Sequence, residues 1–280
     1  MKVSLIVATI NRVTEVELFL NAMLYSTYKK FDIFLIDQNK DERLDKVISK
    51  YSSRLEIFHI KSSVKGLSYN RNIGMKMATG DILAFPDDDC TYYPDTLEKV
   101  MLKFQSDNVD FISGRIFDRE KKISVIKKWP TSPKEITMMN FYSLSSSITI
   151  FAKVKQIDSI RFDENLGVGT IHGSCEDPDF LVALLKRGLR GVYVPSVEVN
   201  HPIPDACNTP MSKRISYAAG FGFMLGKYNK DIIFTLMGIG FSMKNIIRLA
   251  IGELSFSNLS DILSSMYCGY KDGKALHDKR

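Results

Sequence analysis

The chain of 280 residues is 45% hydrophobic and 25% charged, a composition that excludes disordered, collagen-like and disulfide-stapled proteins. Its net charge of +6 is unevenly distributed. Residues 211–280 hold ten basic and five acidic side chains and carry +5, whereas residues 1–210 hold 28 and 27 and carry +1. Nucleic-acid binding requires a basic surface interleaved with stacking aromatic residues. A near-neutral body with a basic end therefore predicts no nucleic-acid partner.

The cysteine and hydropathy patterns indicate the compartment. The four cysteines form neither a C-x-x-C pair nor a zinc-spaced cluster with histidine, which indicates a reduced, cytoplasmic protein. The N-terminal segment lacks the basic and apolar regions of a signal peptide, so we expect no export. The longest uncharged C-terminal runs, 215–226 and 232–243, have 12 residues each, fewer than the roughly 20 that span a bilayer. We therefore expect that no segment crosses a membrane.

Strands and helices alternate along the first part of the chain. Short apolar runs rich in β-branched residues predict strands, and amphipathic stretches predict helices. The predicted strands cover 2–9, 31–36, 55–60 and 81–85, and the predicted helices cover 14–26, 41–51 and 66–78. This alternation predicts an α/β fold with a mostly parallel sheet flanked by helices, in which ligands bind beyond the carboxyl ends of the strands.

The pattern is less regular after residue 94. Strands are predicted at 109–115, 145–151 and 191–199, and helices at 94–104 and 177–187. The segment 118–142 is too long for a plain connector and is a candidate binding loop. Three further helices with interleaved apolar and basic residues are predicted at 212–227, 232–251 and 259–267.

Three adjacent carboxylates, Asp87, Asp88 and Asp89, directly follow the predicted strand 81–85. Their mutual repulsion has to be compensated by solvent or by a cation. Mg²⁺ and Mn²⁺ take oxygen ligands and complete their shells with water and substrate phosphates. The run therefore predicts a site for a divalent metal and a diphosphate, and the alternative is a solvated acidic turn.

A second acidic group opens the predicted helix 177–187. Glu176 and Asp177 precede Pro178, which is tolerated in a first helical turn, so both carboxylates lie at the helix start. One of them is a candidate general base, and the alternative is an ordinary acidic cap. The glycine-containing loop on their N-terminal side is typical of an active-site lid.

Two basic side chains are further candidates. His201 follows the predicted strand 191–199, where an imidazole is either a metal ligand or a bystander. Arg71 lies in the predicted helix 66–78 and is either a solvated charge or a diphosphate clamp.

Taken in order, five motifs resemble those of glycosyltransferase family 2, a large group of inverting enzymes with the GT-A fold. They are Val7-Ala8-Thr9-Ile10-Asn11-Arg12, Asp37-Gln38-Asn39, Gly66-Leu67-Ser68 with Arg71-Asn72-Ile73-Gly74, Asp87-Asp88-Asp89 with Pro94-Asp95, and Glu176-Asp177-Pro178-Asp179. The resemblance covers about residues 2–202 and is nearest in layout to bacterial members that build capsule or O-antigen. It implies a Rossmann-like GT-A catalytic domain over 1–210, with 211–280 as a C-terminal amphipathic helical region.

The resemblance implies a role for each matched residue. Asp177 would be the general base, and Glu176 would support it or contact the acceptor. Asp89, Asp87 and His201 would hold Mn²⁺ or Mg²⁺. The donor-binding residues would be Thr9, Asn11, Arg12, Asp37, Gln38, Arg71, Asp87 and Asp88. The acceptor would meet the segment 118–142 and the glycine loop through Trp129, His172 and Gly173, with a buried tryptophan as the alternative for Trp129.

The implied activity is transfer of one sugar from a nucleoside diphosphate donor to a hydroxyl group of a glycan or lipid-linked acceptor, in cell-surface polysaccharide synthesis. The Q-x-x-R-W motif of processive members is absent, which favours a single addition. UDP-sugars are the default donors. Ile10, Gln38 and Cys90 depart from the tyrosine and two aspartates usual in the family, so base recognition is less defined.

Two other functions fit parts of the sequence. Asp87-x-Asp89-x-Thr91 matches the motif of haloacid dehalogenase-like phosphotransferases, in which Asp87 would be a covalent nucleophile. That motif normally lies on an early strand, whereas three predicted strands precede it here. The second alternative is a non-catalytic module that binds nucleotide or sugar.

The basic C-terminal region has three interpretations. Its amphipathic helices either pack on the catalytic domain, form a homodimer or lie on a membrane surface. Basic residues near anionic lipid contribute about 1 kcal/mol each. A lipid-linked acceptor favours peripheral contact of 211–280 with the inner face of the cell membrane.

Overall fold

The computed structural model describes residues 1–144, 146–157, 159–203 and 209–278. The chain forms two compact units. The first consists of Met1–Lys65, Tyr69–Phe162 and Phe180–Pro204, and the second consists of Gly66–Ser68, Asp163–Asp179 and Asp205–Arg280. The domain boundary at residue 210 stays a prediction.

A mixed sheet forms the centre of the first unit. Within the described ranges its strands are β1 (Val3–Thr9), β2 (Phe31–Asp37), β3 (Ile57–Lys61), β4 (Ile82–Ala84), β5 (Thr91–Tyr92), β6 (Phe111–Asp118), β7 (Ile123–Ser124), β8 (Lys134–Ile136), β9 (Ile150–Lys153) and β10 (Gly191–Asn200). Their order is β3-β2-β1-β4-β9-β6-β10-β5, with β7 beside β6 and β8 beside β10. β3, β2, β1 and β4 are parallel to their neighbours in this series, as are β6 and β10, whereas β9 is antiparallel to β4 and β6.

The burial of the strands agrees with this arrangement. Every residue of β1 and β2 is buried, as parallel strands covered by helices on both faces require. The predicted α/β fold with a mostly parallel sheet is confirmed. The segment 118–142, predicted to be a candidate binding loop, supplies the short strands β7 and β8.

Ten helices are found in the described residues. They are α1 (Thr14–Leu24), α2 (Asp45–Tyr51), α3 (Leu67–Met77), α4 (Thr96–Ser106), α5 (Phe141–Leu144), α6 (Val154–Ile157), α7 (Glu176–Lys186), α8 (Met211–Lys227), α9 (Ile232–Ala250) and α10 (Phe256–His277). The predicted helix ends lie within four residues of the observed ends for α1 to α4 and α7. A short 3₁₀ helix, Ser147–Thr149, replaces the start of the strand predicted at 145–151.

The second unit contains α8, α9 and α10, and the predicted C-terminal helices are confirmed. α8 and α10 run in the same direction and approach closely through glycines. A Cβ atom on Gly222 would lie 1.9 Å from the Met266 carbonyl oxygen, and one on Gly269 would lie 2.1 Å from the Ala219 carbonyl oxygen. Larger side chains at these two positions would force the helices apart. α10 extends well beyond the predicted range 259–267.

α9 has the length and composition of a membrane-spanning helix. Its 19 residues have a mean hydropathy of 1.4, and 11% of its most apolar window is buried. The uncharged run 232–243 is shorter than this helix, because the helix continues through Lys244 and Arg248. The expectation that no segment is long enough to cross a membrane therefore does not hold for α9. Length and composition alone do not separate a membrane span from a surface or core helix.

Candidate active site

A cluster of possible metal ligands lies at the carboxyl ends of two strands in the first unit. Asp87 and Asp89 follow β4, and His201 follows β10. One ligand atom from each of these residues lies within 4.8 Å of the other two. The short strand β5 explains this proximity, because Thr91 pairs with Asn200 and so brings the residues before β5 next to those after β10.

The geometry of His201 fits a metal ligand. Its Nδ1 atom lies 2.6 Å from the Pro202 carbonyl oxygen. A carbonyl oxygen only accepts hydrogen bonds, so Nδ1 donates this one, and Nε2 is the nitrogen that can face a metal. That Nε2 atom lies 3.5 Å from Asp89 Oδ1. Two carboxylates and one imidazole therefore form a donor set suitable for Mn²⁺.

Arg71 positions one of these ligands. Its side chain is 1% exposed, and its guanidinium donates hydrogen bonds to Asp87 Oδ1 at 2.7 Å and to Ser147 Oγ at 3.0 Å. The same guanidinium lies 5.2 Å from the centre of the Phe162 ring. In this structure the buried guanidinium holds the carboxylate of Asp87 in place. The predicted role of Arg71 as a diphosphate clamp stays a prediction.

Thr9 and Arg12 compensate the other two carboxylates. Thr9 Oγ1 donates a hydrogen bond to Asp88 Oδ2 at 2.7 Å. Arg12 lies 2.9 Å from Asp89 Oδ2 and 3.6 Å from Asp88 Oδ1. Burial raises the pKa of Asp88 to about 6, although Thr9 and Arg12 oppose the shift. The acidic run is thus held by specific partners and is not a freely solvated turn.

A second polar cluster surrounds Asp37 at the end of β2. Asp37 is fully buried, and its carboxylate accepts hydrogen bonds from the backbone and side chain of Asn39 at 2.8 and 2.7 Å. His59 Nε2 and Lys61 Nζ each lie 2.9 Å from Asp37 Oδ2. Although burial favours protonation, these hydrogen bonds lower the pKa of Asp37. The carboxylate is therefore ionised and fully engaged.

The first two motifs are joined by backbone and side-chain contacts. The Asn11 N–H donates a hydrogen bond to Asn39 Oδ1 at 2.7 Å, with Asn11 in the left-handed region at φ 59°. Gln38 Nε2 donates to the Thr9 carbonyl oxygen at 3.3 Å. The carboxyl ends of β1 and β2 thus carry one connected group of polar residues, Thr9, Asn11, Asp37 and Gln38. This is the position at which ligands bind in parallel sheets.

His59 and Lys61 were missed in the sequence. They lie two residues apart on β3, so their side chains share a face of that strand. The register of β2 and β3 pairs Lys61 with Asp37 and His59 with Leu35. The sequence does contain a signal for these residues. They are two polar residues at alternate positions near the end of an otherwise apolar strand.

In the second unit, the acidic residues at the start of α7 are packed against the glycine loop. Glu176 is 7% exposed, and a Cβ atom on Gly167 would lie 3.2 Å from its carboxyl group. Gly167 has a φ of 101°, so a larger residue there would be strained and would displace Glu176. Asp177 is half-buried beside it. Both acidic residues lie in the first turn of α7, where the helix dipole favours negative charge.

A buried ion-pair network follows these acids along α7. Lys227 Nζ, at the end of α8, lies 2.7 Å from Asp163 Oδ2 and 2.9 Å from Asp179 Oδ2. The Tyr228 hydroxyl donates a hydrogen bond to Asp179 Oδ1 at 2.8 Å. Burial raises the pKa of Asp179, with Lys227 and Tyr228 opposing the shift. This network connects α8 to the first turn of α7, which carries Glu176 and Asp177.

Replacement of Lys227 by methionine is expected to lower the free energy of unfolding by about 3–5 kcal/mol, because two buried carboxylates lose their counter-charge. Urea unfolding followed by circular dichroism measures this effect. Lys274→Met, at an exposed position of α10, is the control and should change stability by less than about 0.5 kcal/mol. A loss no larger than that of the control would show that the network does not stabilise the second unit.

The residues predicted to contact an acceptor are largely buried. Trp129 is 6% exposed and stacks on Tyr193 at a ring distance of 6.1 Å, which fits the alternative of a buried tryptophan, and its sugar contact stays a prediction. His172 is 5% exposed, with Nδ1 3.1 Å from the Asn165 carbonyl oxygen and Nε2 3.1 Å from Asp272 Oδ2. Both ring nitrogen atoms of His172 are thus engaged within the protein, and its acceptor contact stays a prediction.

Gly173 makes a close contact that leaves no space for a side chain. Its N–H donates a hydrogen bond to the Ser216 carbonyl oxygen at 3.1 Å. A Cβ atom at Gly173 would lie 2.2 Å from Ser216 Oγ. The glycine therefore serves the packing of the loop on α8, and its predicted acceptor contact stays a prediction.

Residues 4–163 match the family model described as glycosyl transferase family 2. The chain therefore belongs to this family, and the predicted membership is confirmed. An uncharacterized glycosyltransferase of Haemophilus influenzae is 27% identical over 212 residues, which are 71% of this chain and 66% of that protein. A Campylobacter jejuni protein named GalNAc(5)-diNAcBac-PP-undecaprenol beta-1,3-glucosyltransferase is 24% identical over 58% of this chain and 55% of its own length. The chain thus spans less than two thirds of these curated relatives.

Solved structures show the same fold at low sequence identity. S. aureus TarS 1–349 in complex with UDP-GlcNAc is 16% identical, with a TM-score of 0.72 over 95% of this chain and 79% of that one. The mannosyltransferase PcManGT from Pyrobaculum calidifontis, in complex with GDP-Man and Mn²⁺, is 15% identical, with a TM-score of 0.65 over 99% and 84%. The predicted GT-A fold is confirmed by these likenesses.

Proposed function

We propose that this protein is an inverting, metal-dependent, non-processive glycosyltransferase. It moves one sugar from a nucleoside diphosphate donor, with UDP-sugars as the default, to a hydroxyl group of a glycan or lipid-linked acceptor. The observation that carries the proposal is the cluster of Asp87, Asp89 and His201 at the strand ends. Asp87 and Asp89 lie within residues 4–163, which match glycosyl transferase family 2, and His201 lies beyond that range.

The residues of this chain have separate tasks in the proposed reaction. Asp87, Asp89 and His201 would hold the metal, which when bound neutralises charge on the departing nucleoside diphosphate. Arg71 keeps Asp87 in position, and the edge around Asp37 binds the nucleoside. Asp177 accepts the proton of the acceptor hydroxyl as that oxygen attacks the anomeric carbon from the face opposite the leaving group. The configuration at the anomeric carbon is therefore inverted.

The names of similar proteins support the substrate classes. The Campylobacter jejuni relative is named for an undecaprenol-linked substrate, which supports a lipid-linked acceptor. We place the reaction in cell-surface polysaccharide synthesis of the capsule or O-antigen type. The two solved structures contain UDP-GlcNAc, and GDP-Man with Mn²⁺, which support a nucleotide-sugar donor and a divalent metal. With these substrates we place the protein in the cytoplasm, at the inner face of the cell membrane.

A donor-hydrolysis assay with a panel of nucleotide sugars, with and without Mn²⁺, tests the proposal without knowledge of the acceptor. Metal-dependent release of nucleoside diphosphate from one class of donor is expected, with water as a slow acceptor. Binding without release would favour the alternative of a non-catalytic module. Release of inorganic phosphate from phosphate esters, with a covalent phosphate on Asp87, would favour the haloacid dehalogenase-like alternative, which the family assignment does not support.

A further inference from the structure

The second unit exposes an apolar face along the whole of α9. We call this set of residues the α9 face, and each member is more than half exposed: Ile232, Leu236, Ile239, Met243, Ile246 and Ile247. Their spacings of three and four residues place them on one side of the helix. The opposite side includes Phe234 and Asn245, which are 1% and 5% exposed.

α9 is apolar on its outward side as well as on its inward side, whereas an ordinary surface helix turns its apolar side towards the protein and a polar side towards solvent. The polar residues that lie away from the α9 face are satisfied inside the helix itself. Asn245 Nδ2 donates a hydrogen bond to the Phe241 carbonyl oxygen at 2.9 Å, and Ser242 Oγ donates to the Gly238 carbonyl oxygen at 3.0 Å. Contiguous exposed apolar surface of this kind marks an interaction site.

α9 is attached to the rest of the second unit by aromatic contacts on its inner side. Phe234 lies 4.7 Å from the ring of Tyr228, and Phe241 lies 4.8 Å from the ring of Phe221. The two contacts lie seven residues apart on α9, so they hold the helix along its side against α8 and the residue that follows α8. A helix held in this way presents its long side outwards, which suits a flat surface better than a perpendicular crossing of a bilayer.

The charges of α9 indicate the nature of that surface. The helix contains Lys244 and Arg248 and no acidic residue. Lys244 is exposed at the border of the α9 face and has no ion-pair partner among the described residues, and Lys230 is exposed just before the helix. Pairing with a second copy through this face would bring cations together without acidic partners. Anionic lipid headgroups supply the complementary charge.

We propose that the α9 face is a membrane-docking surface that lies in the interface of an anionic phospholipid layer, with the helix axis parallel to the membrane plane. Its apolar side chains enter the acyl-chain boundary, while Lys230 and Lys244 contact the headgroup phosphates. A groove of about 450 Å³ between the helices of this unit includes Ile239 and Met243 in its walls, so apolar surface continues inwards from the face.

This inference rests on the proposed lipid-linked acceptor for its biological role, because docking would keep the enzyme beside that acceptor. The binding measurement itself needs no sugar. Failure to dock and failure to transfer sugar are therefore distinguishable.

Flotation of the full chain with lipid vesicles tests the proposal. We expect binding to vesicles of equal parts phosphatidylglycerol and phosphatidylcholine, with weaker binding to phosphatidylcholine alone and at high salt. The double variant Leu236→Gln/Met243→Gln should reduce partitioning at least about tenfold, because each change removes an apolar contact with lipid. The matched control Leu102→Gln/Met77→Gln changes residues that are 58% and 46% exposed on α4 and α3, and should bind like the wild type.

A charge variant separates electrostatic from apolar binding. Lys244→Gln should lower partitioning onto anionic vesicles about fivefold and leave the weak binding to neutral vesicles unchanged. The control is Lys46→Gln, at an exposed position of α2.

Three results would overturn the proposal. The first is equal loss of binding in the α9 face and control variants, and the second is resistance of the bound protein to an alkaline wash, which indicates a spanning helix. The third is a wild-type protein that does not bind vesicles but forms a dimer in analytical ultracentrifugation, with the dimer lost in Leu236→Gln/Met243→Gln. Circular dichroism spectra and urea unfolding midpoints that match those of the wild type show that the variants are folded.

Discussion

Asp177→Asn is expected to lower sugar transfer by a factor of about 10²–10⁴ while donor affinity changes by less than about twofold. Asparagine keeps the shape of the side chain and its place in the first turn of α7, but it cannot accept a proton. General bases typically contribute a factor of this size. Donor hydrolysis measures the loss of turnover, and calorimetric titration with the donor measures binding.

The matched control for this variant is Asp261→Asn, an exposed aspartate on α10. It should retain full turnover. Glu176→Gln is informative beside it, because the carboxyl of Glu176 packs against Gly167, so its loss should disturb the loop as well as the chemistry. If Asp177→Asn lost donor binding and turnover to the same extent, its role would be structural, and the assignment as base would fail.

Asp89→Ala is expected to weaken donor binding in Mn²⁺ by a factor on the order of 100 and to abolish the difference between assays with and without metal. Loss of partners that only orient metal ligands already costs 10–100-fold, and Asp89 offers one oxygen to the cluster with Asp87 and His201. Titration of donor affinity against Mn²⁺ concentration measures the effect. Unchanged metal dependence would remove Asp89 from the ligand set.

Two further variants test the geometry of this cluster. His201→Ala should reduce metal affinity less than Asp89→Ala, since it removes a neutral ligand and leaves both carboxylates. Asp45→Ala changes an exposed carboxylate at the start of α2 and should leave metal dependence unchanged. Equal behaviour of Asp89→Ala and Asp45→Ala would contradict the site.

The residues of the acidic cluster were predictable because strand periodicity and motif order are local properties. An apolar strand followed by Asp87, Asp88 and Asp89 places carboxylates at a sheet edge in any parallel α/β arrangement. His201 was selected only as a strand-end imidazole. Its proximity to Asp89 depends on the pairing of β5 with β10, which joins residues more than 100 positions apart.

The sequence did not show which of the candidate site residues are buried. Trp129, His172 and Arg71 are residue types that bind sugars and phosphates, but each is less than 10% exposed. Their partners, such as Tyr193 for the indole and Asp272 for the imidazole, come from distant parts of the chain. Local pattern cannot show whether a polar or aromatic side chain is engaged by such partners.

The sequence by itself determined the family and the order of the main strands and helices along the chain. It also determined the two acidic groups and the basic C-terminal region. Motifs, periodicity and local charge involve only residues that are close together in the chain, so they can be read without the fold. Only the tertiary structure decided which residues meet at the strand ends and which are buried, because those outcomes depend on pairing between distant segments. It also decided the orientation of α9. An amphipathic pattern defines two sides of a helix, but contacts such as Phe241 with Phe221 fix which side faces the protein and leave the α9 face outwards.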